Sequence, residues 1–283
     1  MPTHVETSPD LPHYFEFNRD INDASIMPKF ESGIVQIFDD FPLISGIDLA
    51  FLSIIGPAED SKITRKCSEI QMLAELGEGK LKDHILAHYT NNEKDARKLQ
   101  QIILDTSEKY RNYFKKTFPG YQQEREKNTW RFTEARNYNM HFDSYYHPEK
   151  FYIRMFTNLD SKPRIWRTSY SFQDACALHQ GAVRKSSPDR VCEDLNDLIF
   201  NTFDSNGVVV GGRDDFPYHE FHFEPGTAWL VYSQCISHQI VYGNRMLTNT
   251  TFVPASSMQN PDQSFDAILD RSGVGAERTP VPA

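Results

Sequence analysis

His141 and Asp143 stand two residues apart in the triplet HFD, inside an aromatic-rich stretch whose composition predicts a β-strand over residues 139–144. Side chains two apart leave the same face of a strand, so the imidazole and the carboxylate would point together. A second imidazole follows downstream, where FEPGTAWLVYSQCISH joins a Pro-Gly turn to a strand and delivers His238. Two neutral imidazoles and a carboxylate on one side of an ion leave its other positions open. That donor set suits non-haem Fe(II) with room for a chelating acid and dioxygen. An HxD triplet alone arises often by chance, and His238 is what favours a metal site over a structural role.

Rival donors are present. His219, Glu220 and His222 cluster, with Glu220 and His222 on one face of a strand; we read them as a solvated edge, with His222 a substrate-side candidate near the pocket. His147, ahead of Pro148, reads as a loop residue, and His84, His88 and His179 fall in helical contexts that suit surface or packing roles.

The elements that would position these residues come late in the chain. Strand composition recurs over 130–135, 139–144, 152–158, 164–169, 220–224, 228–233 and 246–253, with helix and loop between 172 and 203. Upstream, 34–38 reads as a strand and 47–55 as a short helix. Residues 80–118 form the clearest helical region, with Leu99, Ile103, Thr106, Tyr110, Tyr113 and Phe114 at three- and four-residue steps, and Asn91-Asn92 dividing it in two. Short strands behind a helical cap predict a mostly β, α+β fold: a double-stranded β-helix or jelly roll with N-terminal helices packed on one sheet. The expected organisation is an arm over 1–30, one domain over 31–255 and a loose tail over 256–283.

A net charge of −9 disfavours nucleic acid or a membrane surface as the main partner, because phosphate-rich partners favour basic faces. Peripheral membrane contact is the most that is expected. Cys67, Cys176, Cys192 and Cys235 lie far apart without CxxC spacing, and no basic-apolar leader or membrane-length apolar run is evident. These features predict reduced thiols in a soluble, cytoplasmic protein.

HFD at 141–143, FYIRMFTNLDSKPRIWRTSYSF, and FEPGTAWLVYSQCISHQIVYGNRMLTNTTFVP together resemble the Fe(II)/2-oxoglutarate-dependent oxygenases, and specifically the Kdo hydroxylase family. Those enzymes hydroxylate the 3-deoxy-octulosonic acid (Kdo) sugar of lipopolysaccharide at carbon 3. The resemblance covers residues 131–254 best, and RMFTNLDSKPRIWR is its most specific part. It implies His141, Asp143 and His238 as iron ligands, 2-oxoglutarate and O2 as co-substrates and ascorbate as a usable reductant. The approach to His141, EARNYNM, is less charged than the family leads one to expect.

Such an enzyme needs a cation for the far carboxylate of 2-oxoglutarate, and the planar fork of arginine suits it. Arg154 is the first candidate, with Asn158 on the same face of its strand; Arg167 and Arg245 follow. Arg164 and Arg167 flank Trp166, and only one face of that strand can point inward. Arg136, Trp166, Arg164 and Arg213 are candidates to meet an acidic sugar, whether a small molecule or part of a glycolipid. Two other functions fit: the same chemistry on a small amino acid or natural-product intermediate, and a non-catalytic sugar-binding jelly roll.

Overall fold

The computed structural model describes residues 2–41, 43–55, 69–71, 73–132, 135–136, 138–144, 146–147 and 149–277, with backbone alone at 69–79 and 135–136. In chain order the elements are β1 (His4–Glu6), β2 (Phe15–Phe17), α1 (Ile26–Glu31), β3 (Val35–Phe38), α2 (Gly46–Leu52), β4 (Glu69–Gln71), α3 (Leu73–His88), α4 (Glu93–Thr117), β5 (Arg125–Arg131) and β6 (Ala135–Arg136). They continue with β7 (Lys150–Asn158), β8 (Arg164–Ser171), α5 (Phe172–Leu178), α6 (Gln180–Val183), α7 (Val191–Ile199), β9 (Asn201–Phe203), β10 (Val209–Gly212), β11 (His219–Phe223), β12 (Ala228–Val231), β13 (Ile236–Gly243), β14 (Met246–Pro254) and α8 (Phe265–Arg271). The fold is α+β with two large sheets.

A seven-stranded sheet runs β2-β3-β12-β7-β14-β5-β4 and a five-stranded sheet β1-β11-β8-β13-β6. Helix α4 covers the outer face of the larger sheet. Asn92 caps it, its side-chain oxygen accepting from the Lys94 and Asp95 amides, a contact worth about 1 kcal/mol. Its apolar stripe, including Leu99, Ile103, Tyr110 and Phe114, is buried, and Tyr110 reaches Thr251 on β14 through a 2.9 Å hydrogen bond. Between the sheets a second apolar layer stacks Trp166, Phe221 and Phe223 against Trp229 and Phe156. Alternation explains this layer: Trp166 and the phenylalanines of β11 point inward, and their neighbours point out.

Several expectations need correction. Residues 139–144 form no strand; His141 makes one isolated bridge to His238, and the rest is extended loop. The tail does not hang loose over 256–277. Ser264 caps α8, and Phe265, Ile268 and Leu269, spaced i, i+3, i+4, enter the core. The arm is tied down by backbone pairing, β1 to β11 and β2 to β3. Cys67 and residues 278–283 lie outside the described residues. Cys176, Cys192 and Cys235 are free and buried, and burial pushes their thiols up, away from the reactive thiolate. No described helix is long and apolar enough to cross a membrane.

Candidate metal centre and its cavity

His141, Asp143 and His238 converge although their backbones differ in kind. His238 sits on β13 just after a register shift, opposite Thr168 of β8, and a bulge of this sort re-aims the side chains beside it. His141 is locked to it by two backbone bonds, His141 N to His238 O at 3.0 Å and His238 N to His141 O at 2.9 Å. The Asp143 amide then donates to the Ser233 carbonyl. Phe142 points the other way, against Phe172 and Phe200, so both polar neighbours face one side.

The three donor atoms lie within 4.8 Å of one another, and His141 Nε2 is 3.9 Å from Asp143 Oδ1. Donors bound to one ion stand up to about 4 Å apart, so the cluster fits a metal after slight contraction. The tautomers suit this. His141 Nδ1 donates to the Asn139 carbonyl at 2.7 Å and His238 Nδ1 to the Ile236 carbonyl at 3.3 Å, which leaves each Nε2 with its lone pair free. Burial, with His141 adjacent, pulls His238 down to about 4, so its ring is neutral near pH 7. Burial opposes ionisation of Asp143, yet the Arg154 guanidinium and the two imidazoles outweigh it and hold the carboxyl below its usual range. Arg154 engages only Asp143 Oδ2, while Oδ1 faces His141.

The triad opens into a cavity of about 470 Å³ between the sheets. Trp166 is stacked over His238, ring centroids 6.0 Å apart, and with Phe156 and Trp229 makes an apolar wall. Two residues earlier on the same face of β8, Arg164 also lines the cavity. It is 0% exposed, and none of its three guanidinium nitrogens has a hydrogen-bond partner among the described residues. Burial, then the like charge of Arg131, pulls it down to about 9. A buried charge in this condition is costly and calls for an anion.

Gly243 makes room for that side chain: a Cβ there would come within 2.3 Å of Arg164 Nη1 and 2.9 Å of its Cγ and Cζ. The second register shift in β13, between Ile240 and Tyr242, brings this glycine alongside Arg164.

Other candidates are elsewhere. Asn158 is fully buried but committed to a turn, donating to the Lys162 and Phe223 carbonyls and accepting from the Asp160 amide. Arg167 is on the opposite face of β8, paired with Glu220 and lying over the Tyr218 ring. Arg245 donates to the Ile55 carbonyl beyond the cavity. His222 bonds to Glu220 at 3.0 Å, and with Glu6 they form a second donor cluster outside the cavity lining, already engaged by Arg167. Arg213 is a surface partner of Asp215. The Arg136 side chain lies outside the described residues; its backbone pairs with Tyr242.

One positioning residue escapes sequence reasoning altogether. Asn196 of α7 clamps the centre of the HFD triplet, its Oδ1 accepting from the Phe142 amide at 2.7 Å and its Nδ2 donating to the Phe142 carbonyl at 2.9 Å. The available signal was a polar residue on the buried stripe Val191, Cys192, Leu195, Ile199.

The profile of the 3-deoxy-D-manno-oct-2-ulosonic acid (Kdo) hydroxylase family matches residues 16–194 and 213–274. Among solved structures, the fold is similar to that of the Kdo hydroxylase KdoO, described as a non-haem Fe(II) alpha-ketoglutarate-dependent dioxygenase. Its cobalt(II) complex gives a TM-score of 0.65 at 16% identity, covering 94% of this chain and 98% of that one. Its complex with alpha-ketoglutarate and Fe(III) gives 0.62 at 17% identity, covering 94% and 99%. No curated protein sequence matches. The family profile spans most of the chain, including the triad, Arg164 and the strands that hold them, and the chain belongs to the Kdo hydroxylase family.

Proposed function

We propose that the protein is an Fe(II)- and 2-oxoglutarate-dependent hydroxylase that acts on the Kdo sugar of a lipopolysaccharide-type glycolipid. The observation that carries this reading is the presence, in one cavity, of a His-Asp-His donor set and a buried guanidinium with no hydrogen-bond partner among the described residues. The two facing sheets, with the donor set in the cavity between them, support reading the architecture as a double-stranded β-helix. The family match favours Kdo over a small amino-acid substrate and over a non-catalytic sugar-binding role.

In this reading His141, Asp143 and His238 hold iron. The bound metal lets dioxygen be spent on an unactivated C–H bond, one oxygen atom entering the product and the other entering succinate as 2-oxoglutarate loses carbon dioxide. Arg164 takes the far carboxylate of the co-substrate, and its fork can bind both oxygens. Along β8, Arg164 starts four residues, about 13 Å, from Thr168, which is registered to His238. Arg154 keeps Asp143 ionised and directs one carboxylate oxygen toward His141. The Trp166, Phe156 and Trp229 wall excludes water from the reacting centre.

The test supplies purified protein with Fe(II), ascorbate, 2-oxoglutarate and a Kdo-terminated acceptor under air. Gain of one oxygen on Kdo, matched by succinate, is the expected result. Succinate release with no oxidised Kdo, or oxidation of an amino-acid panel in its place, would overturn the substrate assignment.

A further inference from the structure

We propose that His4 and Glu6 of β1 and Glu220 and His222 of β11 form a second metal site, for a divalent ion of the Zn(II) class, which staples the N-terminal arm to the five-stranded sheet. The site lies outside the cavity lining and stands independently of the hydroxylase reading.

Register brings the four donors together. Strands β1 and β11 run antiparallel, with His4 opposite His222 and Glu6 opposite Glu220. Residues two apart share a strand face, so two imidazoles and two carboxylates make a square on one side of the pair. Val5 and Phe221, between them, turn the other way, and Phe221 is fully buried in the apolar layer between the sheets. The donors therefore stand on the outer face. Glu6, Glu220 and His222 already have ligand atoms within 4.8 Å of one another. His222 Nε2 is 3.0 Å from Glu220 Oε1, His4 Nε2 is 3.8 Å from Glu6 Oε1, and the two imidazole centroids are 5.8 Å apart.

Tetrahedral Zn(II), with ligands at about 2.0–2.1 Å, needs donors about 3.3 Å apart. The His4 and Glu6 side chains are 66% and 68% exposed, so they can close the remaining gap without disturbing the core. Glu220 is already oriented: Arg167 Nε and Nη2 both hold Oε2 at 2.7 Å, which leaves Oε1 toward His222. Asp143 is held in the same way, by Arg154 through Oδ2 with Oδ1 toward His141. A salt-bridge network does not account for the outer pattern, because Glu6 stands directly opposite Glu220 and like charges across a ladder are destabilising. A divalent ion reverses that sign and takes the place of the proton shared by His222 and Glu220. Two imidazoles beside two carboxylates favour Zn(II) over Ca(II) or Mg(II), and four protein donors make the site closed and structural.

The place of β1 in the fold says what the ion does. β1 is three residues long and forms an edge of the five-stranded sheet, while β2, further along the arm, forms an edge of the seven-stranded sheet beside β3. Residues 4–17 thus cross from one sheet to the other. On the way the Ser8 amide donates to His219 Nδ1 at 3.2 Å, and His219 Nε2 donates to the Pro12 carbonyl at 2.9 Å. An edge strand of three residues is prone to fray, and an ion bound only when it is docked holds it in place by mass action.

The test titrates the tag-free, metal-stripped full chain with Zn(II) in a calorimeter and follows amide hydrogen exchange at residues 4–6. Wild type should take up two ions. His141→Ala/His238→Ala, which lacks both imidazoles of the triad, should take up one, and Zn(II) should slow its exchange at 4–6 by about tenfold or more. Adding His4→Ala/His222→Ala to that protein should remove the remaining ion and the slowing with it. Adding Glu6→Gln in their place keeps side-chain volume and strand pairing; since losing even a supporting partner of a ligand costs roughly 10–100-fold, it should weaken the ion by about tenfold or more. Circular dichroism verifies that each variant is folded. Absence of any ion in His141→Ala/His238→Ala, or an ion whose affinity is indifferent to His4, Glu6 and His222, would overturn the site. An ion bound with exchange at 4–6 unchanged would overturn the staple. Neither readout requires turnover, so the result leaves the hydroxylase reading to its own test.

Discussion

At one end of the cavity Asp143 is ionised against Arg154, and both imidazoles are tied through Nδ1 to backbone carbonyls. At the other end Arg164 is fully buried, yet none of its guanidinium nitrogens has a hydrogen-bond partner among the described residues. The first region is pre-organised by the protein's own groups: its tautomers are set, and Asn196 fixes the backbone between the two proximal ligands. The second holds a buried guanidinium with no hydrogen-bond partner among the described residues, a charge that an anionic ligand would satisfy. The donor end should therefore tolerate being empty at little cost, whereas the arginine end should cost stability until an anion binds.

The largest expected effect breaks the donor end. His238→Ala should abolish iron binding and reduce turnover by more than the roughly 10–100-fold typical of losing a supporting partner, as read by metal titration and succinate release. Loss of iron should leave 2-oxoglutarate with only its arginine contact, so its binding should also weaken.

The second prediction reverses the usual sign of a core substitution. Arg164→Met removes an unpaired buried charge and fills the same space, so the ligand-free protein should gain about 1–4 kcal/mol in chemical denaturation. Its turnover should fall at the same time. A destabilised Arg164→Met protein would show that the guanidinium already has a compensating partner.

Smaller effects separate the two ends. Gly243→Ala forces a methyl into the Arg164 side chain and should weaken 2-oxoglutarate binding by about 1–3 kcal/mol, with iron affinity unchanged. Asn196→Ala does the opposite. Two backbone groups of Phe142 lose their partner, costing about 1–3 kcal/mol of stability and loosening iron, while the intrinsic 2-oxoglutarate contact at Arg164 is untouched. Melting curves and paired titrations of metal and co-substrate would distinguish the two patterns.

How much of this was legible in the sequence follows the same division. The helix 80–118 and its break at Asn91-Asn92 were legible because apolar spacing and a capping residue are local. The convergence of His141, Asp143 and His238 was legible because residue type and period-two spacing carry it. The choice between Arg164 and Arg167 was not, since a shift of one residue exchanges the faces of a strand. In addition, the register of β8 against β13 is set by two bulges that leave no composition signal. Arg154 and Asn158 share a strand face, but Asn158 closes the strand and its amide is consumed by the following turn. Three-residue strands such as β1 and β4 are too short to show alternation, and α8, only two turns long, carries too short an apolar stripe to stand out after strand character ends at Pro254.

The most direct test of the assignment is the dissociation constant of 2-oxoglutarate, measured anaerobically with iron bound, in wild type, Arg164→Met, Arg167→Met and Arg245→Met. Removing the true anchor should cost about 2–5 kcal/mol, roughly 30- to several-thousand-fold in affinity, and only Arg164→Met should show it. Arg167 and Arg245 are committed to Glu220 and to the Ile55 carbonyl, so their variants should bind within about twofold of wild type. Unchanged affinity in Arg164→Met, or an equal loss in either of the other two, would contradict the account.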